Sequence, residues 1–273
     1  MCTIGVVFQG GTLHTFKQCD LIPVTAFNEP QVRPGRKGVD TYVAMTRGAG
    51  AGKLWAAANS SGVAFVAADA YTTSANYYVT DDQTAALFEA YEASVRDNAT
   101  ATAAAAFLSD FYRNMGDGTA FPAPDISLYT GWADEARTQP VSIFIEYMPG
   151  PNNHEPVRTI MRNSGHFAST NAFRIQPEAI GYPANHSTYL RLGRAELILQ
   201  QEPTLDGIGS VLTDQYYGKT ELSVCRETKY IGQEFHTQAT AVFSASSDGN
   251  SGCLYQINGN PLTNPLRPFG SPA

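Results

Sequence analysis

The sequence opens with Met1-Cys2-Thr3, which places a cysteine directly after the first methionine. If Met1 is removed, Cys2 carries a thiol and a free α-amine on the same residue. A thiolate is a strong nucleophile, and an α-amine with a pKa of about 7.7–8.0 accepts a proton near neutral pH. One residue would then supply both nucleophile and general base, as in N-terminal threonine enzymes. The alternative is that Cys2 is an ordinary small residue of a buried first strand.

A β-hairpin follows directly on this stretch. Residues 3–16 alternate in the manner of two short strands around the turn Gln9-Gly10-Gly11. A regular hairpin returns the chain to Cys2 at about residues 17–20. Asp20 and Lys17 are therefore expected close to the thiol, although Asp20 is equally well explained as a turn residue at a strand end.

Composition restricts the class of protein. The 273 residues are 43% hydrophobic and 16% charged, which is typical of a globular protein, and we expect a single domain over 1–273. The net charge of −7 is spread thinly, without a run of Lys or Arg, so nucleic acid is not an expected partner. We find no membrane-spanning stretch and no secretory signal, and therefore expect a cytoplasmic protein without a membrane partner. The sequence leaves a homo-oligomer open.

No cofactor or metal is predicted. The five histidines are scattered, and the four cysteines lack the spacing of a metal site. The glycine-rich stretch 48–52 lacks the Lys-Ser/Thr ending of a phosphate loop and is interpreted as a turn between two strands.

Hydrophobic periodicity predicts strands, two helices, strands, two helices and strands again. The helices are expected from Asp82 with Asp81 or Asp82 as N-cap, at Ala101–Met115 behind an N-cap at Thr100, at Ser187–Gln200, and near Gly207–Gln215. The segment Ile22–Lys37, with three prolines, is expected to be irregular. Helix pairs between runs of antiparallel strands indicate two sheets with helix layers outside them.

Several short motifs occur in an order that resembles a known family. They are Met1-Cys2-Thr3, Phe16-Lys17-Gln18-Cys19-Asp20, Asn59-Ser60-Ser61-Gly62-Val63, Ser169-Thr170-Asn171-Ala172-Phe173, and Arg191-Leu192-Gly193-Arg194. In this order the chain resembles the choloylglycine hydrolase and isopenicillin N acyltransferase group of N-terminal-nucleophile (Ntn) hydrolases. The resemblance spans most of the chain. It implies an α+β fold, a four-layer αββα sandwich of two antiparallel sheets flanked by helix pairs.

The resemblance also implies roles for five residues. Cys2 corresponds to the nucleophile, and Asp20 to the carboxylate that orients its amine. Asn59 and Asn171 correspond to residues that help to bind the oxyanion, and Arg191 to an arginine that reaches the surroundings of the nucleophile. Without the family, the two asparagines are explained as turn formers and Arg191 as part of a solvated helix face. Asp20→Asn is nearly isosteric and is expected to reduce activity with little loss of stability.

The chain departs from the family at Lys17-Gln18, where the family usually has Arg-Asn. An ammonium does not replace a guanidinium at a bidentate site. Lys17 therefore either keeps only a positive charge near the thiolate, with a role in substrate binding, or leaves that task to Arg191.

These observations predict an N-terminal-cysteine amidohydrolase that acts on a linear C–N amide bond through a Cys2 thioester. The expected partner is a small-molecule amide or acyl substrate. The alternatives are an acyltransferase or cyclase that uses the same acyl-enzyme in a biosynthetic pathway, and a non-catalytic binding protein on this fold.

Overall fold

The structure is a computed structural model. It describes residues 2–23, 25–49, 52–70, 79–114, 123–149, 155–176, 181–230 and 232–270. In chain order its strands and helices are β1 (Cys2–Gln9), β2 (Thr12–Leu21), β3 (Gln31–Pro34), β4 (Thr41–Arg47), β5 (Lys53–Asn59), β6 (Ala64–Asp69), α1 (Asp81–Arg96), α2 (Ala101–Asn114), β7 (Asp125–Trp132), β8 (Pro140–Tyr147), β9 (Val157–Arg162), β10 (His166–Ser169), α3 (Ser187–Gln201), α4 (Leu205–Leu212), β11 (Glu227–Tyr230), β12 (Gln233–Ser246), β13 (Ser251–Ile257) and β14 (Arg267–Phe269).

The strands of the described chain form two antiparallel sheets of seven strands each. The first sheet has the order β10-β1-β2-β12-β13-β14, with β11 paired to β12. The second sheet runs from β3 to β9 in chain order. Strands β1 and β2 are joined by the predicted hairpin, and β12 and β10 arrive from far along the chain to flank it.

Three buried clusters separate four layers. The first lies between the sheets and includes Ile4, Val66 and Phe243. The second lies between the second sheet and helices α1 and α2, and the third between the first sheet and helices α3 and α4. The layer order is therefore helix, sheet, sheet, helix, so the predicted αββα sandwich is confirmed. That residues 1–273 form one domain stays a prediction.

Helix α1 begins one residue earlier than predicted, and the N-cap predicted at Asp81 or Asp82 is wrong. The N-cap is Thr80, whose hydroxyl accepts from the Gln83 backbone N–H, while the Gln83 side chain accepts from the Thr80 N–H. This reciprocal capping box satisfies two helix-end donors, which leaves the aspartates in the first turn beside the positive helix end. The N-cap at Thr100 of α2 is confirmed by its bond from the Ala103 N–H, at 3.1 Å.

Other boundaries differ because pairing partners come from distant segments. Residues 31–34 of the segment predicted to be irregular form β3, which pairs with β4. The short strands β10, β11 and β14 are not indicated by local periodicity. The predicted end of the second helix at Met115 and Gly116 lies outside the described residues. Helices α3 and α4 lie close to their predicted ranges, with α4 starting two residues earlier.

Strand β1 is held tightly between its two neighbours, and this fixes the position of Cys2. A Cβ added to Gly5 would lie 2.5 Å from the Phe16 ring and 2.5 Å from the Phe167 carbonyl oxygen. Only glycine permits this close approach of β1 to β2 and β10. The first residue of β1 thus has a defined place in the first sheet.

Candidate active site

Cys2 is the first residue of β1 and is only 5% exposed. Its backbone N–H donates to Asn171 Oδ1 at 2.9 Å. Asn171 follows the end of β10, the neighbour of β1, so the pairing of these two strands brings it to Cys2. The predicted proximity of Asn171 to Cys2 is therefore present in the structure.

Asn171 is itself fixed on both sides. Its Nδ2 donates to the Asp69 carbonyl oxygen at 2.6 Å, at the end of β6 in the opposite sheet. Its backbone N–H donates to Thr188 Oγ1 at 3.1 Å, and the Thr170 hydroxyl binds the Thr188 hydroxyl and carbonyl at 2.8 Å. An amide nitrogen carries two protons, so the second Nδ2 proton of Asn171 can donate to another acceptor.

Arg191 reaches the same point from helix α3 and is fully buried. Its Nη1 donates to the Cys2 carbonyl oxygen at 2.9 Å and to Thr3 Oγ1 at 3.2 Å. Its Nη2 donates to Asn171 Oδ1 at 3.0 Å. Arg191 therefore does not lie on a solvated helix face, and its guanidinium connects β1 to the segment that follows β10.

Lys17 lies beside Cys2 but binds the opposite sheet. It is 5% exposed, and its Nζ donates to the Trp55 carbonyl oxygen at 3.1 Å and to the Ala67 carbonyl oxygen. The Nζ also lies 5.7 Å from the centroid of the Trp55 ring. The buried ammonium is thus held by carbonyls of β5 and β6, which keeps a positive charge next to the thiol.

A cavity opens beside Cys2 between the two sheets and helix α1. Its polar wall consists of Lys17, Arg47, Asp69 and Tyr91, and Cys19 lies beside Cys2. Its apolar wall consists of Leu54, Trp55, Ala67, Leu87 and Phe88. The Cys2 thiol therefore faces a space with both charged and aromatic groups at hand.

The Cys2 thiol is more acidic than an ordinary cysteine. Its pKa is lowered to about 6, mainly by a hydrogen bond from the Cys19 thiol, and the charge of Lys17 acts in the same direction. Burial and the charge of Asp69 oppose this lowering. In Cys19, burial and the bond to Cys2 raise the pKa well above its usual value. Both shifts favour the negative charge on Cys2 and the proton on Cys19.

Asp20 lies at the end of β2 as predicted, with contacts to a different strand. The Thr237 hydroxyl donates to Asp20 Oδ1 at 2.8 Å, and Arg226 Nη2 lies 3.0 Å from Asp20 Oδ2. Both side chains of this ion pair are completely buried. The side chain that binds the backbone nitrogen of Cys2 is that of Asn171. The predicted role of Asp20 in orienting the Cys2 amine stays a prediction.

The structure does not bring the Asn59 side chain to Cys2. Its Nδ2 donates to the Val95 and Asn98 carbonyl oxygens at 2.8 and 2.9 Å, and its Oδ1 accepts from the Val63 N–H at 3.0 Å. These bonds fix the β5–β6 turn to the end of α1. Asn59 lies four residues beyond Trp55 on β5, roughly 13 Å along the strand. The contacts of Asn59 are therefore those of a turn-forming asparagine.

Three residues beside Cys2 were not predicted from the sequence. Cys19 could have been found from the hairpin, because a two-residue loop at Gly10 and Gly11 places it directly opposite Cys2. Asp69 and Trp55 come from strands of the other sheet. No local pattern indicates which residues of that sheet face Cys2.

The parts of the chain that the structure describes contain no group of three or more His, Cys, Asp or Glu side chains that could hold a metal ion. None of the described helices is both long and apolar enough to span a membrane.

Comparison with known proteins identifies the fold. No protein-family model matches the chain, and no curated protein matches it significantly in sequence. Two structures of mutant forms of the conjugated bile acid hydrolase from Clostridium perfringens superpose with a TM-score of 0.52, at 10% and 8% identity. They cover 99% and 98% of this chain, and 97% and 96% of their own. Penicillin V acylase from Agrobacterium tumefaciens gives a TM-score of 0.46 at 13% identity, with 99% and 98% of the two chains covered.

Identity this low establishes architecture and leaves activity to the site itself. The αββα architecture agrees with the two sheets and the paired helices of this chain. The superposition covers nearly all of both chains. The chain therefore has the αββα fold of the conjugated bile acid hydrolase from Clostridium perfringens.

Proposed function

We propose that the chain is an N-terminal-cysteine amidohydrolase that cleaves a linear C–N amide bond through a thioester on Cys2. The neighbour that shares its fold is, by name, a hydrolase of conjugated bile acids. A shared fold alone does not carry an activity, so the proposal rests on the residues around Cys2.

One observation carries the proposal. The thiol of Cys2, with a pKa lowered to about 6, lines a cavity, while its backbone nitrogen is bound by Asn171. A structural core cysteine shows the opposite behaviour, since burial alone raises the pKa of the Cys253 thiol to about 12. The combination of an acidic thiol, an open space and a fixed nitrogen is that of an activated nucleophile.

The reaction follows from this arrangement. The Cys2 thiolate attacks the substrate carbonyl carbon and forms a tetrahedral intermediate with a negative oxygen. Collapse of the intermediate breaks the C–N bond, and the leaving amine takes a proton from the α-ammonium of Cys2. Water then gives a proton to the α-amine and attacks the thioester, which releases the acid and the Cys2 thiolate.

The proposal requires cleavage of the Met1–Cys2 bond, because only a free α-amine can transfer these protons. The Asn171 Oδ1 that binds the Cys2 nitrogen would then hold the amine, and the second Nδ2 proton of Asn171 would bind the oxyanion. Arg191 fixes Asn171 and the Cys2 carbonyl. Asp20 contributes a negative charge that favours the protonated amine, with Arg226 and Thr237 holding its carboxylate.

The acceptor of the acyl group decides between hydrolysis and its alternatives. The same thioester serves acyl transfer when an external amine replaces water, and cyclisation when the amine belongs to the acyl group. Both share every step up to the thioester. Added amine separates transfer from hydrolysis, and a cyclic product formed without added amine identifies cyclisation.

We expect Cys2→Ala to abolish turnover, because it removes the attacking sulfur. We expect the fold to be kept, because the sulfur is the only heavy atom removed. The measurement is hydrolysis of a panel of linear amides, with intact mass to follow loss of Met1 and an acyl adduct on Cys2. Cys253→Ala is the matched control, since it removes a buried thiol of the same sheet outside the cavity. The mechanism is wrong if Cys2→Ala keeps about a tenth of the activity, and the amine role is wrong if active protein retains Met1.

A further inference from the structure

A second cysteine lies directly opposite the nucleophile. The register of the β1–β2 hairpin pairs Cys2 with Cys19, so their side chains project from the same face of the sheet. Residues opposite each other on antiparallel strands have Cβ atoms about 4.5–5.5 Å apart. This separation brings two thiols within reach of a direct S–H···S contact.

Cys19 is held in the middle of the first sheet. Its strand β2 is paired with β1 on one side and with β12 on the other, where Cys19 faces Ala239. The Cys19 side chain is 2% exposed and lines the same cavity as Cys2. A side chain placed in this way has little freedom to turn away from its neighbour, so the contact between the two thiols is built into the sheet.

The charged and titratable groups around the pair come from every element that packs against it. They are Lys17 on β2, Arg47 on β4, Asp69 on β6, Tyr91 on α1 and Arg191 on α3. The positive groups favour a negative charge on the pair and Asp69 disfavours it. A charge on Cys2 is next to Lys17 and can be shared with a neighbouring S–H donor, whereas a charge on both thiols would repel.

We propose that Cys19 is a positioning residue, whose thiol donates a hydrogen bond to the Cys2 thiolate and so keeps the nucleophile ionised and directed into the cavity. This proposal rests on the proposed function of Cys2 as nucleophile. It assigns the two cysteines different tasks: Cys2 forms the bond to substrate, and Cys19 acts only through Cys2. The proton on Cys19 stays where it is throughout the reaction.

The proposal distinguishes a donor from a mere space filler. A thiol is a weak donor, but a hydrogen bond to a charged acceptor stabilises it more than a neutral bond does. Cys19→Ala removes the donor and leaves a small void. Cys19→Val removes the donor and fills the space, and Cys19→Ser keeps a donor in nearly the same volume.

The test measures the pH dependence of alkylation of Cys2 by iodoacetamide, with the labelled residue identified by peptide mass spectrometry. We expect the midpoint of the wild-type alkylation profile near pH 6. In both Cys19→Ala and Cys19→Val we expect the midpoint to be about 1 to 2 pH units higher. At pH 5 this corresponds to a roughly tenfold to hundredfold slower reaction. Cys19→Ser is expected to keep the wild-type midpoint, and Cys253→Ala, a buried thiol outside the cavity, to leave it unchanged.

Each outcome decides the proposal. An unchanged midpoint in Cys19→Ala and Cys19→Val overturns it, as does a rise in Cys19→Ser as large as that in Cys19→Ala. An equal rise in Cys253→Ala also overturns it, since the effect would then be a general consequence of lost packing. If Cys19→Ala does not fold, Cys19→Val decides. Alkylation needs no turnover, so an inactive wild type with the expected midpoints contradicts the proposed function of Cys2, while the hydrogen bond from Cys19 to Cys2 remains supported.

Discussion

At the scale of single residues, the buried pair of Asp20 and Arg226 shows how the surroundings of Cys2 are stabilised. Both side chains are fully buried and lie 3.0 Å apart, with Thr237 donating to the carboxylate. Such a pair offsets its own desolvation only while both charges are present. The similar shape of aspartate and asparagine predicts that Asp20→Asn costs little stability. The buried ion pair with Arg226 leads to a different prediction.

We predict that Asp20→Asn destabilises the protein by about 3–5 kcal/mol, because it removes the carboxylate that lies 3.0 Å from the buried Arg226 guanidinium. Urea unfolding followed by circular dichroism measures the change. Asp214→Asn is the matched control: its partner Arg194 lies at 2.7 Å, and the Arg194 side chain is 20% exposed. Water can replace part of that contact, so about 1 kcal/mol is expected. Equal losses in the two variants would contradict the prediction.

At the scale of elements, strand β7 holds both helices that cover the second sheet. Its first residue, Asp125, accepts hydrogen bonds from the hydroxyl of Tyr91 on α1 and from the hydroxyl of Tyr112 on α2. Burial raises the pKa of Asp125 to about 7, although both hydroxyl bonds act to lower it. Tyr91 also lines the cavity beside Cys2, so this junction positions one wall of the candidate active site.

This junction predicts a pH dependence of stability. A carboxyl of an unfolded chain loses its proton near pH 3.9, whereas folded Asp125 keeps it up to about pH 7. The folded state binds the extra proton between these values, so its stabilisation is complete below about pH 4 and is lost as the pH rises through 7. Asp125→Asn carries no titrating proton. We therefore expect the stability of the variant relative to the wild type to increase from pH 4 to pH 8 by a few kcal/mol.

Denaturant unfolding of both proteins at several pH values measures this difference. Asp110→Asn on α2 is the control, because its side chain is 65% exposed and its removal should leave the pH profile of stability parallel to that of the wild type. A constant difference between Asp125→Asn and the wild type across this range would show that Asp125 is ionised in the folded chain.

At the scale of the whole molecule, the fold gives four chemically identical side chains different reactivities. Cys2, Cys19, Cys225 and Cys253 are all buried free thiols. Burial raises the pKa of both Cys225 and Cys253 to about 12, whereas the pKa of Cys2 is lowered to about 6. The distinction between Cys2 and these two thiols arises from the cavity, from Lys17 and from the cross-strand thiol of Cys19.

We predict that iodoacetamide at pH 7 labels Cys2 in the folded protein at least roughly a hundredfold faster than Cys225 or Cys253, since the thiolate is the reacting form. In urea the environments are lost, and the four thiols should be labelled at similar rates. Peptide mass spectrometry at several times gives the individual rates. Similar rates in the folded protein would remove the case for an activated Cys2.

Much of the architecture follows from local pattern. The hairpin that returns the chain to Cys2, the helix at Ser187–Gln201 and the alternation of strands with helix pairs depend on periodicity and turn residues within a few positions of each other. The resemblance to a known family predicts Asn171 and Arg191 near Cys2, and the pairing of β1 with β10 and the packing of α3 place them there.

What the tertiary structure decided depends on contacts between distant segments. The ion pair of Asp20 with Arg226 depends on two contacts between distant segments. Strand β12 pairs with β2 at the register Asp20↔Thr237, and the Thr237 N–H donates to the Arg226 carbonyl oxygen. The cavity wall at Asp69 and Trp55 depends on how the second sheet faces the first. By itself the sequence determined a cysteine at the head of a hairpin and an αββα order. The partners of that cysteine were decided by sheet packing, because the energies of burial and pairing depend on neighbours that no local window contains.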